Sequence, residues 1–165
     1  VPAVASLVTT PHANMAYAMD DGKHLVGSGE QGFIHLLSQM NPEDEYLERN
    51  KCYQTVTPCF RRDIVDHLHS NWFMKLELFC WITNGKPMPV VHKMFNDAAI
   101  FLDNLLLDVD KVEEGECCFD LCSNGIELGS YGFRSATVND KTFTWAYGTG
   151  LALPRVQYAM NNKTA

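Results

Sequence analysis

Residues 53–77 read YQTVTPCFRRDIVDHLHSNWFMKLE, and this stretch decides the fold because two strand patterns flank a polar connection. Residues that alternate between apolar and polar, with turn formers at either end, are typical of strands. We therefore predict strands at residues 52–60 and 72–81. The polar segment 62–71 joins them, so the pair is expected to form an antiparallel hairpin with a long connection.

The patterns outside this hairpin predict further hairpins with helices added to them. Apolar residues at helical spacing predict a helix after a turn at residues 27–30 and a long helix over residues 89–107. The other predicted elements are strands at residues 1–9, 23–27, 116–122, 126–133 and 142–147, a break at the glycines of residues 148–150, and a closing helix at residues 151–161. The sequence therefore predicts one α+β domain over residues 1–165, with a largely antiparallel sheet flanked by helices.

Composition restricts the class of protein. The chain has 165 residues, of which 46% are hydrophobic and 20% charged, and its formal net charge is −7. The acidic balance argues against a general nucleic-acid or membrane-surface binder. The six cysteines form no CxxC pair and no zinc-finger spacing, and no signal peptide or membrane-span pattern is present. We expect a cytoplasmic protein in a reducing compartment, with no membrane partner.

The central hairpin carries residues that suit a nucleotide. Arg61, at the end of the first strand, offers a rigid fork of donors for a phosphate or a carboxylate. Alternation places Phe73, Lys75 and Glu77 on one side of the second strand, where the ring presents a flat apolar face. A surface ion pair beside a core phenylalanine explains the same pattern equally well.

Two further groups of residues are candidates for ligand binding: a pair of acids and a glycine-containing segment. Asp120 and Glu127 lie on the two strands of a predicted tight hairpin, where their carboxylates approach across the ladder. Facing carboxylates repel unless a cation lies between them, so Mg²⁺ carrying triphosphate oxygens is one interpretation, and turn capping by one acid is the other. Residues 148–155, GTGLALPR, place glycines and Arg155 at a helix start, which favours anions. This segment matches neither the P-loop nor the Rossmann pattern.

In chain order, these segments resemble the catalytic core of class II aminoacyl-tRNA synthetases and their relatives. Residues 60–63 (FRRD) with 73–77 (FMKLE) are similar to the second motif of the family, and residues 148–155 are similar to the third. Residues 25–30 (LVGSGE) resemble the substrate-amine loop of the seryl and related enzymes. Residues 119–134 resemble the aspartyl, asparaginyl and lysyl branch and ammonia-dependent asparagine synthetase.

The resemblance implies a role for each matching residue. The nucleotide and metal positions are Arg61 on the α-phosphate, Asp63 on the adenine side, Phe73 stacked on adenine, Arg155 on the γ-phosphate, Asp120 and Glu127 as metal-binding acids, and Ser130 beside them. The amino-acid positions are Ser28 and Glu30 for the ammonium, Glu77 facing the pocket, and Arg134 for a carboxylate. An aspartate-like or other small polar amino acid is the expected substrate.

The implied function is ATP- and Mg²⁺-dependent formation of an aminoacyl-adenylate, followed by transfer to a tRNA or another acceptor. The segment 62–71 is not basic and is therefore poorly suited to binding a tRNA, so the identity of the acceptor stays open. From the resemblance we expect no anticodon-binding domain and little of the first-motif helix that usually builds the dimer, so the question of a homodimer also stays open. The alternatives are a non-catalytic paralogue that binds nucleotide or amino acid, and a piece of a longer enzyme.

Overall fold

A computed structural model describes residues 1–10, 12–41, 44, 47–105, 108–115 and 117–162. Its strands are β1 (Cys52–Phe60), β2 (Trp72–Ile82), β3 (Asp110–Gly115), β4 (Cys118–Ser123), β5 (Ile126–Val138) and β6 (Lys141–Ala152). Its helices are α1 (Ala3–Leu7), α2 (Glu30–Gln39), α3 (Met88–Asn104) and α4 (Arg155–Asn161), with a 3₁₀ turn at Ala13–Met15. None of the helices in these ranges is both long enough and apolar enough to cross a membrane.

The six strands form one antiparallel sheet in the order β1-β2-β6-β5-β4-β3. The predicted hairpin is present: Cys52 lies opposite Cys80 at its open end, and Phe60 lies opposite Trp72 beside the connection. β6 then pairs with both β2 and β5, so it joins the central hairpin to the rest of the sheet. The predicted antiparallel sheet flanked by helices is confirmed.

Alternation within β2 and β6 divides the core into two clusters, one on each face of the sheet. Cys80 and Ala146 point toward α3 and α4, where Leu102 is fully buried. Their neighbours Phe79 and Trp145 point the other way, toward α1 and α2. Both faces of the sheet are therefore covered, as in a three-layer α+β arrangement.

Two predictions for the N-terminal part of the chain are wrong. Residues 1–9 form the short helix α1, and residues 23–27 make only isolated bridges, between Pro2 and Lys23 and between Ala18 and His24. β-Branched residues favour a strand only where a neighbouring strand offers a packed surface. Here the buried neighbour is α2, against which the small side chain of Ala5 packs.

The predicted break at residues 148–150 is also wrong, because β6 continues through the glycines to Ala152 and the closing helix begins at Arg155. The glycines are there because neighbouring side chains lie directly on the strand. A Cβ on Gly148 would come within 2.6 Å of the Tyr131 ring. β5 likewise extends to Val138, beyond the predicted end.

Strand β3 was not expected from the sequence. Its residues, DKVEEG, are mostly charged and exposed, as an edge strand permits. The predicted long helix corresponds to α3, although residues 106 and 107 of that prediction lie outside the described residues. Residue 116, the predicted start of the next strand, also lies outside them, and β4 begins at Cys118.

We expect Leu102→Ala to lower the free energy of unfolding by about 2–5 kcal/mol, because the side chain is fully buried between α3 and the sheet. Ile100→Ala, on the same helix with 62% of the residue exposed, is the matched control and should cost less than about 1 kcal/mol. Urea unfolding followed by circular dichroism measures both. Equal losses would contradict this placement of α3.

Candidate active site

An open cavity of about 170 Å³ lies where the connection of the β1–β2 hairpin meets the end of β6 and the start of α4. Five of the residues predicted for nucleotide and metal binding line it: Arg61, Asp63, Phe73, Glu127 and Arg155. They come from segments far apart in the sequence. The antiparallel ladder brings them together because β6 lies next to β2 and the hairpin ends beside it.

Arg61 is held by the loop that precedes α2. Its Nε donates to the Gly27 carbonyl oxygen at 2.8 Å, and the Gly27 N–H donates to Gln31 Oε1 at 2.8 Å. The guanidinium lies 5.6 Å from the centre of the Phe73 ring. In the part of the chain that the structure describes, its two terminal nitrogens have no hydrogen-bond partner, so they are available to an anion in the cavity.

Arg155 is held by an acid and a histidine. Its Nη1 lies 2.8 Å from Glu127 Oε2, and its Nη2 donates to His69 Nε2 at 3.1 Å. Because His69 accepts at Nε2, its proton is at Nδ1, which lies 2.9 Å from Asp66 Oδ1. The Asp66–His69–Arg155 chain therefore ties the hairpin connection to α4 across the cavity.

Sequence reasoning missed His69, because a histidine in a polar segment is usually an ordinary surface residue. The available signal was its spacing from Asp66, three residues apart in a segment that joins two strands. Such a spacing permits a local side-chain hydrogen bond, which the structure contains.

Asp120 and Glu127 share one side of the β4–β5 hairpin but are not directly opposite each other. Asp120 faces Ser130 and Glu127 faces Cys122, with an irregularity between Leu121 and Cys122. Burial raises the pKa of Asp120; the Ser130 hydroxyl opposes this shift and the negative charge of Glu127 adds to it. The two acids and Ser130 therefore lie close together.

These acids fit a metal only when a ligand supplies further oxygens. Across the described ranges, no group of three or more His, Cys, Asp or Glu side chains is arranged to hold an ion. Mg²⁺ usually takes one or two carboxylates and completes its shell with water and phosphate oxygens. The pair Asp120 and Glu127 matches that requirement.

A buried cluster of charges lies on the inner side of the cavity, around the carboxylate of Glu77. Its oxygens accept from Lys75 Nζ at 2.8 Å, from the Ser28 hydroxyl at 2.8 Å and from the Gly29 N–H at 2.6 Å. Burial works to raise the pKa of Glu77, but these donors together hold it below its usual range. Lys75 also lines the cavity, so it connects the cavity to this cluster.

The Glu30 carboxylate is paired within the protein. Both of its oxygens accept from Arg134 Nη1, at 2.6 and 2.8 Å, and Oε2 also accepts from the Trp145 indole at 2.7 Å. The Arg134 guanidinium lies 4.1 Å from the centre of the Tyr147 ring. Burial, with the charge of Glu77 adding to it, raises the pKa of Glu30 against the opposing effects of Arg134 and Trp145.

One hydrogen-bonded network therefore contains all four residues predicted to bind the amino acid: Ser28, Glu30, Glu77 and Arg134. The unexpected feature is that Arg134 pairs with Glu30, whereas the sequence suggested that the two would bind opposite ends of a ligand. Nε and Nη2 of Arg134 make no hydrogen bond to any described residue, and the side chain is 37% exposed. Arg134 thus keeps donors for a second partner.

No family model matches the chain, and no curated protein is similar to it in sequence. Solved structures are similar to it in fold. One is seryl-tRNA synthetase from Pyrococcus horikoshii complexed with ATP, at a TM-score of 0.73 and 16% identity, covering 96% of this chain and 44% of that chain. Another is PylSc, a pyrrolysyl tRNA synthetase from Desulfitobacterium hafniense, at a TM-score of 0.68 and 16% identity, covering 98% of this chain and 59% of that chain.

A second structure of the Desulfitobacterium hafniense pyrrolysyl-tRNA synthetase gives the same TM-score of 0.68, and the match covers 60% of that chain. The chain thus spans about half the length of these synthetases. The structural similarity extends over nearly all of the chain, whereas 16% identity is too low to carry residue roles across. The expectation of a fold like the class II aminoacyl-tRNA synthetase catalytic domain is therefore confirmed.

Proposed function

We propose that this domain binds ATP and an amino acid and joins them as an aminoacyl-adenylate. The observation that carries the proposal is one cavity that combines Arg61, Phe73 and Arg155 with the acid Glu127. A cavity with two arginines, an aromatic ring and a carboxylate has the chemistry needed for a nucleoside triphosphate. A synthetase of the same fold was solved in complex with ATP, which supports this assignment.

In the proposed complex, Phe73 covers the adenine and Asp63 contacts the adenine side of the nucleotide. The free terminal nitrogens of Arg61 bind the α-phosphate. Arg155 has five donors and uses only some of them on Glu127 and His69, so it can bind the γ-phosphate without leaving them. Both arginines would be oriented before ATP arrives, which lowers the cost of binding.

Asp120 and Glu127, with Ser130 beside them, would hold Mg²⁺ through their carboxylates. When bound, the metal would neutralise charge on the triphosphate. The pairing of Glu127 with Arg155 also brings a cation to these acids in the unliganded protein. Their mutual repulsion is thereby reduced before any metal binds.

The amino acid would occupy the inner end of the cavity, next to the buried charges. Its ammonium would bind Ser28 and Glu30, and Glu77 would face the pocket. A side-chain carboxylate would bind the unused nitrogens of Arg134, which supports a small, aspartate-like or other polar substrate. The charges of Lys75 and Arg134 balance those of Glu77 and Glu30 before the amino acid binds.

The reaction is attack of the amino-acid carboxylate on the α-phosphorus, with cleavage of the bond to pyrophosphate. A carboxylate is already an anion, so the step needs no general base. Arg61 and Arg155 offset the negative charge that develops on the phosphates. The aminoacyl group would then be transferred to a tRNA hydroxyl or to a small amine, with cleavage of the acyl–phosphate bond and release of AMP.

We expect ATP–pyrophosphate exchange in the presence of an aspartate-like or other small polar amino acid, and none with leucine or phenylalanine. Arg134→Lys retains the positive charge beside Glu30 but loses the fork, so exchange with the preferred acidic substrate should fall about 10- to 100-fold. The assay is run with each common amino acid in turn. Strong exchange with leucine, or unchanged selectivity in Arg134→Lys, would refute the substrate assignment. ATP binding without any exchange would favour the non-catalytic alternative.

We expect Phe73→Ala to raise the Kd for ATP about tenfold or more, because one base–aromatic stack contributes about 1–3 kcal/mol. Phe101→Ala, an exposed ring on α3, is the control and should leave the Kd unchanged. Isothermal titration calorimetry gives both values. If Phe73 only supports the core, its variant will melt several degrees lower while the folded fraction binds ATP normally.

We expect Asp120→Asn and Glu127→Gln each to reduce the gain in ATP affinity that Mg²⁺ provides. Glu113→Gln, on the exposed face of β3, is the matched control. ATP is titrated with Mg²⁺ and with EDTA for the wild type and the three variants. If Mg²⁺ raised the ATP affinity of all four proteins equally, Asp120 and Glu127 would not be metal ligands.

A further inference from the structure

Two cysteines lie directly opposite each other on the edge hairpin of the sheet. The first pair of the β1–β2 ladder is Cys52 with Cys80. Directly opposite residues of an antiparallel pair point to the same side, with Cα atoms about 4.5–5.5 Å apart. Disulfides span about 4.4–6.8 Å between Cα atoms, so this register brings the two thiols within bridging distance. Cys52 also contributes to the raised pKa of Cys80, as expected for two side chains this close together.

The surroundings of the two thiols differ. Cys52 is exposed and lies on β1, which has no further strand on its outer side. Cys80 is fully buried under α3. Burial, together with the neighbouring Cys52, raises the pKa of Cys80 to about 12, so Cys80 rests as a protonated thiol. Cys52 is therefore the thiol that a dissolved reagent meets first.

No other cysteine pair on the described strands has this geometry. Cys59 lies opposite Phe73, Cys118 opposite Gly132, and Cys122 between Asp110 and Glu127. Burial also raises the pKa of Cys59 to about 11. The opposed pair is thus a specific feature of the open end of the β1–β2 hairpin.

We propose that Cys52 and Cys80 are an oxidation site, at which a low-molecular-weight disulfide converts the two thiols into a reversible cross-strand disulfide. The inference does not depend on the proposed enzymatic activity. The bond would lock the open end of the hairpin whose other end carries Arg61 and Phe73. The edge strand β1 would then be attached covalently to the sheet.

The reaction proceeds in two exchange steps. The Cys52 thiolate attacks one sulfur of the small disulfide, whose S–S bond breaks and releases one thiolate, leaving a mixed disulfide on Cys52. Cys80 then gives its proton to the released small thiolate through solvent and attacks Cys52 Sγ from the core side. The second small thiolate leaves toward solvent, where it takes up the proton that Cys52 lost. Two protein thiols are oxidised, and one small disulfide is reduced to two thiols.

The test is equilibration of the reduced protein with glutathione and glutathione disulfide at increasing oxidant fractions, followed by alkylation and mass spectrometry. We expect a species that carries two fewer alkyl groups than the reduced protein, and whose tryptic digest links the peptide of residues 52–61 to that of residues 76–93. Because the first peptide also contains Cys59, Cys59→Ala is the matched control and should keep the link. Cys52→Ser should lose it, and its exposed position makes the fold insensitive to this change.

A second readout is thermal melting. Oxidised wild type should melt at a higher temperature than the reduced form, dithiothreitol should reverse the shift, and Cys52→Ser should show no redox-dependent shift. The inference is overturned if Cys52 carries only a glutathione adduct while Cys80 stays a free thiol. It is equally overturned if both thiols stay reduced under oxidant, or if the link persists in Cys52→Ser.

Discussion

The buried carboxylate of Glu77 is the constraint on which the arrangement of the site depends. An ionised group that is wholly removed from water must be paired, and breaking such a pair costs several kcal/mol. Here the partners are Lys75, Ser28 and Gly29, two of which belong to the loop before α2. Satisfying one charge therefore fixes that loop on strand β2.

The position of that loop determines further contacts. Gly29 must be glycine, because a Cβ there would come within 2.5 Å of the Thr55 methyl group. The carbonyl of Gly27, two residues earlier, accepts from Arg61, and Glu30, one residue later, accepts from Arg134. Arg61 and the buried acid Glu30 are thus positioned by the same short segment. Any change that releases the loop from Glu77 would disturb both Arg61 in the cavity and the pairing of Glu30 with Arg134.

Much of the site was predictable because its residues lie in local patterns. Alternation placed Phe73 and Lys75 on one side of β2, and both line the cavity. The resemblance to the synthetase motifs, taken in chain order, brought Arg61 and Arg155 into one hypothesis, although it gave no contact between them. The role of His69 was missed because it depends on an arginine 86 residues away. The spacing of Asp120 and Glu127 around a turn predicted that they lie close together. It did not predict the bulge in the ladder, which leaves them diagonal to each other and not directly opposite.

The sequence by itself determined the β1–β2 hairpin, the apolar face of α3 and the turn at Asn124 and Gly125, which both have positive φ. These features follow from side-chain periodicity and turn chemistry, which act between residues close in the chain. Only the tertiary structure decided that β6 continues through its glycines, because Tyr131 on β5 lies against Gly148 and Leu76 on β2 lies against Gly150. It also decided that Glu30 pairs with Arg134, which lies 104 residues away. Such partners are chosen by packing and by the need to neutralise buried charge, and neither is visible in a local pattern.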